Sequence, residues 1–570
     1  MLFRNIFLVW GLFFCGLFVP RSAQAHCAGS FDWGPYTAIE RGSGVMQAYS
    51  YSGTGTNSVV GADGLNRFYY PWGQVTTTQD SRTVKFWYGV NGNLPPYHTH
   101  DGYCNEHQIS TPVTVSGSSI VSCQSCGSGA FGWQTMTISK RDLSVEPMKK
   151  PIIVSQGFDP DFGSSDQLTF ETMVGYLNKV YPTTGEETPL TGWDSTNALN
   201  QLLNAGYDVV FVKYQSPNED ISTQGKNLLE AMEWVASKSI AGSSMYLIGP
   251  SMGGQVVRWA LINLYNARKE GDASVSNIRV SGALLLDSPN LGAVIPASAI
   301  FAMREHSEFN GKAWVSYSNM AKPAAQQMLY QFARANSWST NATAANSYAT
   351  LNSGDNIRKM SLDGSIDVVA VSNGSATGLT QGVPKNSVYF DGGMAAYEAL
   401  KIAGITVLSG TAGMYTKLTT GTDATANNTA FSWNITVRGS TYASAAGYSN
   451  SNWGLENAPG GYRTTFREMS NAFKKTYDNP LTIDAKVVKH AFIPTVSALG
   501  LVSRSLGNNA QIIAPVNIVG GVPQEATIFK RVYAPAYNQV HVSLTPDNMV
   551  WILGEINSAT AKANSLIFTR

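Results

Sequence analysis

Short apolar runs alternate with amphipathic stretches through the middle of the chain. Pro151-Ile-Ile-Val-Ser155, Asp208-Val-Val-Phe-Val212, Ser244-Met-Tyr-Leu-Ile248 and Val280–Leu286 are predominantly apolar over consecutive positions. That is the pattern of strands buried on both faces. Trp193–Ala205, the stretch holding Leu228, Leu229, Met232 and Val235, and Gln255–Ala267 carry helical spacing. Gly206 stands where the first of these helices would be capped. Strands alternating with amphipathic helices predict an α/β fold, a mostly parallel sheet with helices on both faces. The rhythm resumes at Ile366–Val371, and Val487–Val496 reads as a late strand. Thr545–Ile556 reads as a terminal helix, with Thr545 as its N-cap and Pro546 as its first residue.

Two stretches break this rhythm. Residues 290–360 read as helical, with segments such as Ala324–Ala333, and are placed to form a cap over a site. Residues 410–465 are rich in Thr, Asn, Gly and Ser and read as an extended insertion. Upstream, short alternating runs such as Thr83–Tyr88 and Thr111–Ser116 predict a small β-rich domain over 26–147, followed by an α/β domain over 148–570.

Composition narrows the class. The chain is 43% hydrophobic and only 14% charged, which excludes a disordered solvating chain. Its net charge of +1, with no Lys/Arg run, argues against a nucleic-acid partner. The N-terminus has Arg4, an apolar stretch through Val19 and then Ala23-Gln24-Ala25, the layout of a secretory signal peptide over 1–25. Its removal takes away Arg4 and Arg21 and leaves 37 basic against 38 acidic side chains. No second apolar run long enough to span a bilayer follows, so an exported protein, periplasmic or secreted and without a stable membrane anchor, is expected. Cys15 leaves with the signal, and Cys27, Cys104, Cys123 and Cys126 remain. An even number in an exported chain predicts two disulfides stapling the N-terminal domain. The alternative is a zinc site drawing on His98, His100, Cys104, His107 and the Cys123/Cys126 pair, but the ligand spacing is irregular. No metal or cofactor is expected.

The sharpest motif is Gly249-Pro250-Ser251-Met252-Gly253, followed by Gly254. It lies between an apolar strand and an amphipathic helix. A serine that projects above a sheet from so tight a turn needs small residues two before and two after it. Backbone N–H groups at the following helix start can then face an oxyanion. This strand–turn–helix context resembles the α/β-hydrolase superfamily, and the motif is similar to the lipase box of bacterial lipases, esterases and polyester depolymerases. The resemblance covers 148–300 by motif, and 360–400 and 480–560 by order. It implies an oxyanion hole at the positions of Met252 and of Phe158, in Ser155-Gln156-Gly157-Phe158-Asp159. Many relatives have His-Gly where this chain has Gln156-Gly157.

A serine nucleophile needs a general base, normally a histidine held by a carboxylate. The superfamily order of nucleophile, acid, histidine leaves His306, His490 and His541. His306 falls in the cap, and His490 falls inside a strand-like run. His541 precedes the terminal helix, where the resemblance places the base. Three carboxylates compete for the third role. Asp287 follows Leu284-Leu-Leu, Asp367 lies in a strand pattern, and Asp391 precedes Gly-Gly. The strand after the cap ends in Val371-Ser372-Asn373, with asparagine where the superfamily most often places its carboxylate. Asp287 is the choice, with Asp391 and Asp367 left as alternatives. Ser288-Pro-Asn-Leu-Gly292 is similar to the Pro-His-x-Gly turn of bacterial lipases, with Asn290 in place of histidine.

The resemblance implies hydrolysis of a carboxylic ester with an apolar acyl part, through a Ser251–His541–Asp287 triad and an acyl-enzyme. A serine peptidase or amidase is the first alternative. The other is a catalytically silent surface- or polymer-binding protein on the same scaffold.

Overall fold

A computed structural model describes residues 147–158, 180–187, 198–214, 217–306, 311–334, 337–384, 453–474 and 489–567, together with Val487 and the strands named below outside these ranges. The chain divides into two compact units, Met1–Val113 and Thr114–Arg570. In the first unit the strands Tyr36–Gly42, Val45–Tyr51, Thr83–Tyr88 and His100–Asp101 form an antiparallel sheet, and Val59–Val60 pairs with Asn66–Arg67. The signal segment, Cys27, Cys104 and Cys126 lie outside the described residues, as does the Cys123 side chain. Among the described residues no helix is long and apolar enough to cross a membrane, and no group of His, Cys, Asp and Glu could hold a metal.

The second unit is built on a nine-stranded sheet. Its strands are β1 (Thr114–Val115), β2 (Ser118–Cys123), β3 (Trp133–Ser139), β4 (Pro151–Ser155), β5 (Asp208–Tyr214), β6 (Met245–Pro250), β7 (Val280–Leu286), β10 (Asp367–Val371) and β18 (Arg531–Tyr533). The order across the sheet is β18-β10-β7-β6-β4-β5-β3-β2-β1. The six strands from β18 to β5 run parallel, and β3, β2 and β1 extend them antiparallel. The sheet therefore reaches upstream of residue 148, into the segment the sequence pattern assigned to the N-terminal domain. Its far edge is β18, a three-residue strand too short to show in the hydrophobic pattern.

Alternation along the parallel strands feeds two cores. Ile153, Val210, Val212, Leu247 and Leu285 face α2 (Ile221–Ser237) and α3 (Met252–Glu270), with Leu228, Met232, Val257 and Leu261 opposite them. Ile152, Val154, Val209, Phe211, Ile248 and Leu284 face α1 (Ala198–Asn204) and α10 (Pro546–Ile567), through Leu199, Leu202, Met549 and Ile556. Burial on both faces is why these strands read as continuous apolar runs. Asp220 caps α2 by accepting from the Thr223 N–H at 2.9 Å. Thr545 caps α10 reciprocally, its N–H donating to Asn548 Oδ1 at 2.9 Å while the Asn548 N–H points back at Thr545 Oγ1.

The stretch 290–360 is mostly helical, with one hairpin inside it. It comprises α4 (Ala297–His306), α5 (Gly311–Met320), α6 (Pro323–Met328), the pair β8 (Gln331–Arg334) and β9 (Ser337–Thr340), α7 (Ala342–Leu351) and α8 (Gly354–Met360). The second insertion is wider than 410–465. Strands β11 (Val388–Met394), β12 (Ala412–Thr419), β13 (Asn428–Val437), β14 (Ser440–Ser449) and β16 (Leu481–Ala485) form a separate antiparallel sheet. The late strand shortens to β17 (His490–Pro494) and joins β15 (Gly460–Arg463) antiparallel, outside the main sheet.

Candidate active site

Ser251 sits in the turn between β6 and α3 with φ 53° and ψ −129°. This left-handed backbone is strained for a serine. Glycine at 249 and 254 is what allows the turn: a Cβ on Gly249 would strike the Gly254 backbone, and one on Gly254 would strike Ser288 Oγ. The Ser251 N–H donates to the Leu286 carbonyl at 2.9 Å, which ties the turn to the end of β7. The next residue along β7 is Asp287, also left-handed at φ 48°, and Val542, beside His541, has φ 54°. Three of the five described non-glycine residues with positive φ thus cluster at one place.

These strained turns bring the three residues into one hydrogen-bonded line. His541 Nδ1 lies 2.7 Å from Asp287 Oδ2, and His541 Nε2 lies 2.9 Å from Ser251 Oγ. An ionised carboxylate only accepts, so Nδ1 carries the proton and donates to Asp287. Nε2 is then bare and accepts from the Ser251 hydroxyl. Burial lowers the His541 pKa, and the hydrogen bond and charge of Asp287 work against that shift. The imidazole is therefore a free base at neutral pH, with a carboxylate in place to stabilise its protonated form.

The other sequence candidates lie elsewhere. Asp367 opens β10 at the opposite end of the parallel strands, where its Oδ1 is 2.6 Å from Lys530 Nζ. His490 is fully buried on β17, its Nδ1 2.8 Å from the Ala491 carbonyl and its Nε2 2.8 Å from Thr465 Oγ1. The side chains of His306 and Asp391, and all of Asp159, lie outside the described residues. Asn290 is buried and donates to the Ala498 carbonyl at 2.9 Å, which locks the turn after Asp287. The buried guanidinium of Arg258 joins that turn to the cap, through the Leu351 carbonyl and Asn352 Oδ1, both at 2.8 Å.

Several residues that hold this line together were not legible as such. Asn373, at the end of β10, donates its backbone N–H to Asp287 Oδ1 at 2.9 Å. Its Nδ2 donates to Gln539 Oε1, the Ser543 carbonyl and Ser543 Oγ at 2.9–3.1 Å, which pins the loop carrying His541. Strand β15, read from sequence as the end of an extended insertion, runs beside the same loop. The His541 N–H donates to the Tyr462 carbonyl at 2.9 Å, and the Tyr462 N–H to the Gln539 carbonyl at 3.0 Å. A Cβ on Gly461 would land on Asp287 Oδ2, the oxygen that receives His541 Nδ1. The Gly460-Gly461 pair was the available signal, though it reads equally well as an ordinary loop.

The loop at Gln156–Phe158 lies on one side of Ser251, and an apolar cavity lies beside it. Gly157 lies against Ser251, since a Cβ there would meet Ser251 Cβ at 3.5 Å. Gln156 is buried and braces that loop, accepting from the Tyr214 N–H at 2.9 Å. Next to it, Phe158 helps line a cavity of about 20 Å³ together with Ile295, Met328, Leu329 and Phe492. The Phe492 ring meets the His541 ring edge-on, with centroids 4.7 Å apart. The helical segment over 290–360 lines this side through Met320, Ala325, Met328 and Leu329, and is held by hydrogen bonds from the Ala324 N–H to the Asn218 carbonyl and from the Ile221 N–H to Gln327 Oε1.

No family model matches the chain, and no curated protein matches it in sequence. Solved structures similar to it are bacterial and archaeal lipases and esterases. A Bacillus licheniformis lipase in its mature form is 16% identical, with 40% of this chain and 68% of that one covered and a TM-score of 0.23. A Pyrobaculum calidifontis esterase is 14% identical, with 44% and 66% covered and a TM-score of 0.20. A bacterial heroin esterase is 12% identical, with 46% and 67% covered and a TM-score of 0.23. Likenesses this partial carry no argument about activity, which rests on the site itself.

Proposed function

We propose that the chain is an exported serine hydrolase acting on carboxylic esters with an apolar acyl part. The observation that carries this reading is the line Ser251 Oγ–His541 Nε2–His541 Nδ1–Asp287 Oδ2, with separations of 2.9 and 2.7 Å. His541 removes the Ser251 proton as the oxygen attacks the ester carbonyl. Asp287 steadies the imidazolium, which then protonates the departing alcohol. The N–H groups of Met252 and Phe158 receive the developing oxyanion. Water deprotonated by His541 attacks the acyl-enzyme and releases the acid. No metal or cofactor enters this chemistry. The apolar cavity under the cap supports an apolar acyl part, and the signal-like segment over 1–25 supports export, to the periplasm or beyond.

The test is covalent labelling with a small fluorophosphonate, the adduct being located by peptide mass spectrometry. The expected result is an adduct on Ser251 that is lost in His541→Ala, with ester turnover falling at least about 10⁴-fold in Ser251→Ala. A folded protein that takes no label at Ser251, or turnover that survives Ser251→Ala, would falsify the assignment.

A further inference from the structure

Val542, the residue after His541, has φ 54°. Among the described residues it is the one β-branched side chain on a left-handed backbone. A β-branched residue resists that conformation, which persists only where the surroundings impose it. Here the surroundings act on both sides of the residue. After it, the Tyr181 N–H donates to the Leu544 carbonyl at 2.8 Å, and Val180 bridges to Leu544 in parallel. Before it, Gln539 Nε2 donates to the Thr183 carbonyl at 3.2 Å. His541 and Val542 lie between these two attachments, and one short segment, 180–187, supplies both.

The segment is itself fixed. The Gly185 N–H donates to the Pro182 carbonyl at 3.1 Å, which closes a turn. The Gly185 carbonyl accepts from the Tyr462 hydroxyl at 2.8 Å and from Lys489 Nζ at 3.4 Å, and Glu187 pairs with Arg467. Gly185 has φ 83°, and a Cβ there would fall 1.9 Å from the Asn538 carbonyl oxygen, so the turn lies directly against the loop that carries His541. The attachments converge on Gln539, which is fully buried. Its Oε1 accepts from Asn373 Nδ2 at 3.0 Å, its N–H donates to the Asn373 carbonyl at 2.7 Å, and its carbonyl accepts from the Tyr462 N–H at 3.0 Å. With the bond to Thr183, the side-chain and backbone polar groups of this residue are tied to three segments distant in sequence.

We infer that segment 180–187 is a strap that holds His541 in line with Ser251 and Asp287 by keeping Val542 left-handed, and that Gln539 is the positioning residue through which it acts. Neither the strap nor Gln539 supplies a group to the reaction. Their effect on turnover rests on the ester-hydrolase reading, whereas their effect on the hydrogen bond from His541 to Asp287 does not.

The test starts from Gln539→Met in the purified full chain, which removes the bond to the strap at nearly equal size and adds no charge. Turnover of 4-nitrophenyl butanoate is measured per Ser251 titrated with fluorophosphonate, so unfolded protein is not counted. The expected result is a fall of about 10- to 100-fold in kcat, with KM within about threefold of wild type. Gly185→Ala, which acts from the strap itself, should lower kcat as well. Val542→Asn is the decisive background, because asparagine accepts a left-handed backbone. There Gln539→Met should cost about threefold or less. The proton between His541 Nδ1 and Asp287, followed as a far-downfield NMR resonance absent from His541→Ala, should weaken in Gln539→Met and return in the double variant. A lower melting temperature with kcat per site and the resonance both unchanged, or an equal loss from Gln539→Met in the two backgrounds, overturns the inference. If Ser251 takes no label in wild type, the hydrolase reading falls, and the resonance in the variants alone decides whether the strap stands.

Discussion

Two imidazoles in this molecule have nearly the same surroundings. His541 and His490 are both buried, both face a hydroxyl across Nε2, at Ser251 and Thr465, and both lie edge-on to a phenylalanine, Phe492 and Phe466. They differ across Nδ1. His541 has the Asp287 carboxylate at 2.7 Å, while His490 has the Ala491 carbonyl at 2.8 Å. Both partners fix the same tautomer, but only the carboxylate supplies a full negative charge to stabilise an imidazolium. The hydroxyls differ too. Ser251 projects from a strained turn beside backbone N–H groups, whereas Thr465 opens α9 (Thr465–Lys474). A hydroxyl–imidazole hydrogen bond by itself therefore does not distinguish Ser251 from Thr465. The charge behind the ring and the backbone around the oxygen separate the two pairs.

The comparison breaks most sharply at Asp287. Asp287→Asn gives His541 an amide partner, which is closer to the situation of His490. It should lower kcat by about 10⁴-fold while leaving the fold intact, as steady-state kinetics and circular dichroism would show. Gly461→Ala acts on the same oxygen from the other side. The added Cβ must displace Asp287 Oδ2 from His541, and a loss of at least about 100-fold in kcat is expected.

His490 should instead reveal itself in stability. Its folded pKa is depressed to about 4, against 6.5 for an exposed ring. Below pH 6.5 the unfolded chain takes up a proton that the folded chain does not, so this contribution is full above pH 6.5 and is lost as pH falls toward 4. The loss is up to about 3 kcal/mol. Melting temperatures of wild type and His490→Asn, followed from pH 7 to 4.5, should show a smaller acid-induced decline in the variant. An equal decline in both would count against a neutral buried ring. The smallest effect is expected for Asn373→Ala. It deletes the side-chain hydrogen bonds to Gln539 and Ser543 but keeps the backbone donor to Asp287. A drop of about tenfold in kcat with little change in KM would identify Asn373 as a positioning residue.

Local chemistry was legible in the chain because local chemistry decides it. The turn at Ser251 is dictated by glycines within three residues, the parallel strands by runs that must be apolar on both faces, and the terminal helix by Thr545-Pro546. His541 and Asp287 could be proposed only because the family order says where a base and an acid belong. The residues themselves left Asp391 and Asp367 open. The two sheet edges were missed for a plain reason: β18 has three residues, and β2 and β3 lie in a segment whose composition resembles an independent β domain.

What only the tertiary structure decided is how residues far apart in sequence meet. Asp287 and His541 are 254 positions apart, and β15 reaches them from a third segment whose sequence reads as loop. Gly461 carries no chemistry to recognise, and its importance is the absence of a Cβ where Asp287 needs room. Asn373 looks like a missing carboxylate in sequence and proves to be the hydrogen-bond donor behind the one that is present. The sequence by itself determined the turn at Ser251, the layered sheet and the short set of candidate acids and bases. Which of these meet depended on strand order and on close backbone approach, which arise from packing between distant segments and leave no periodic trace in the chain.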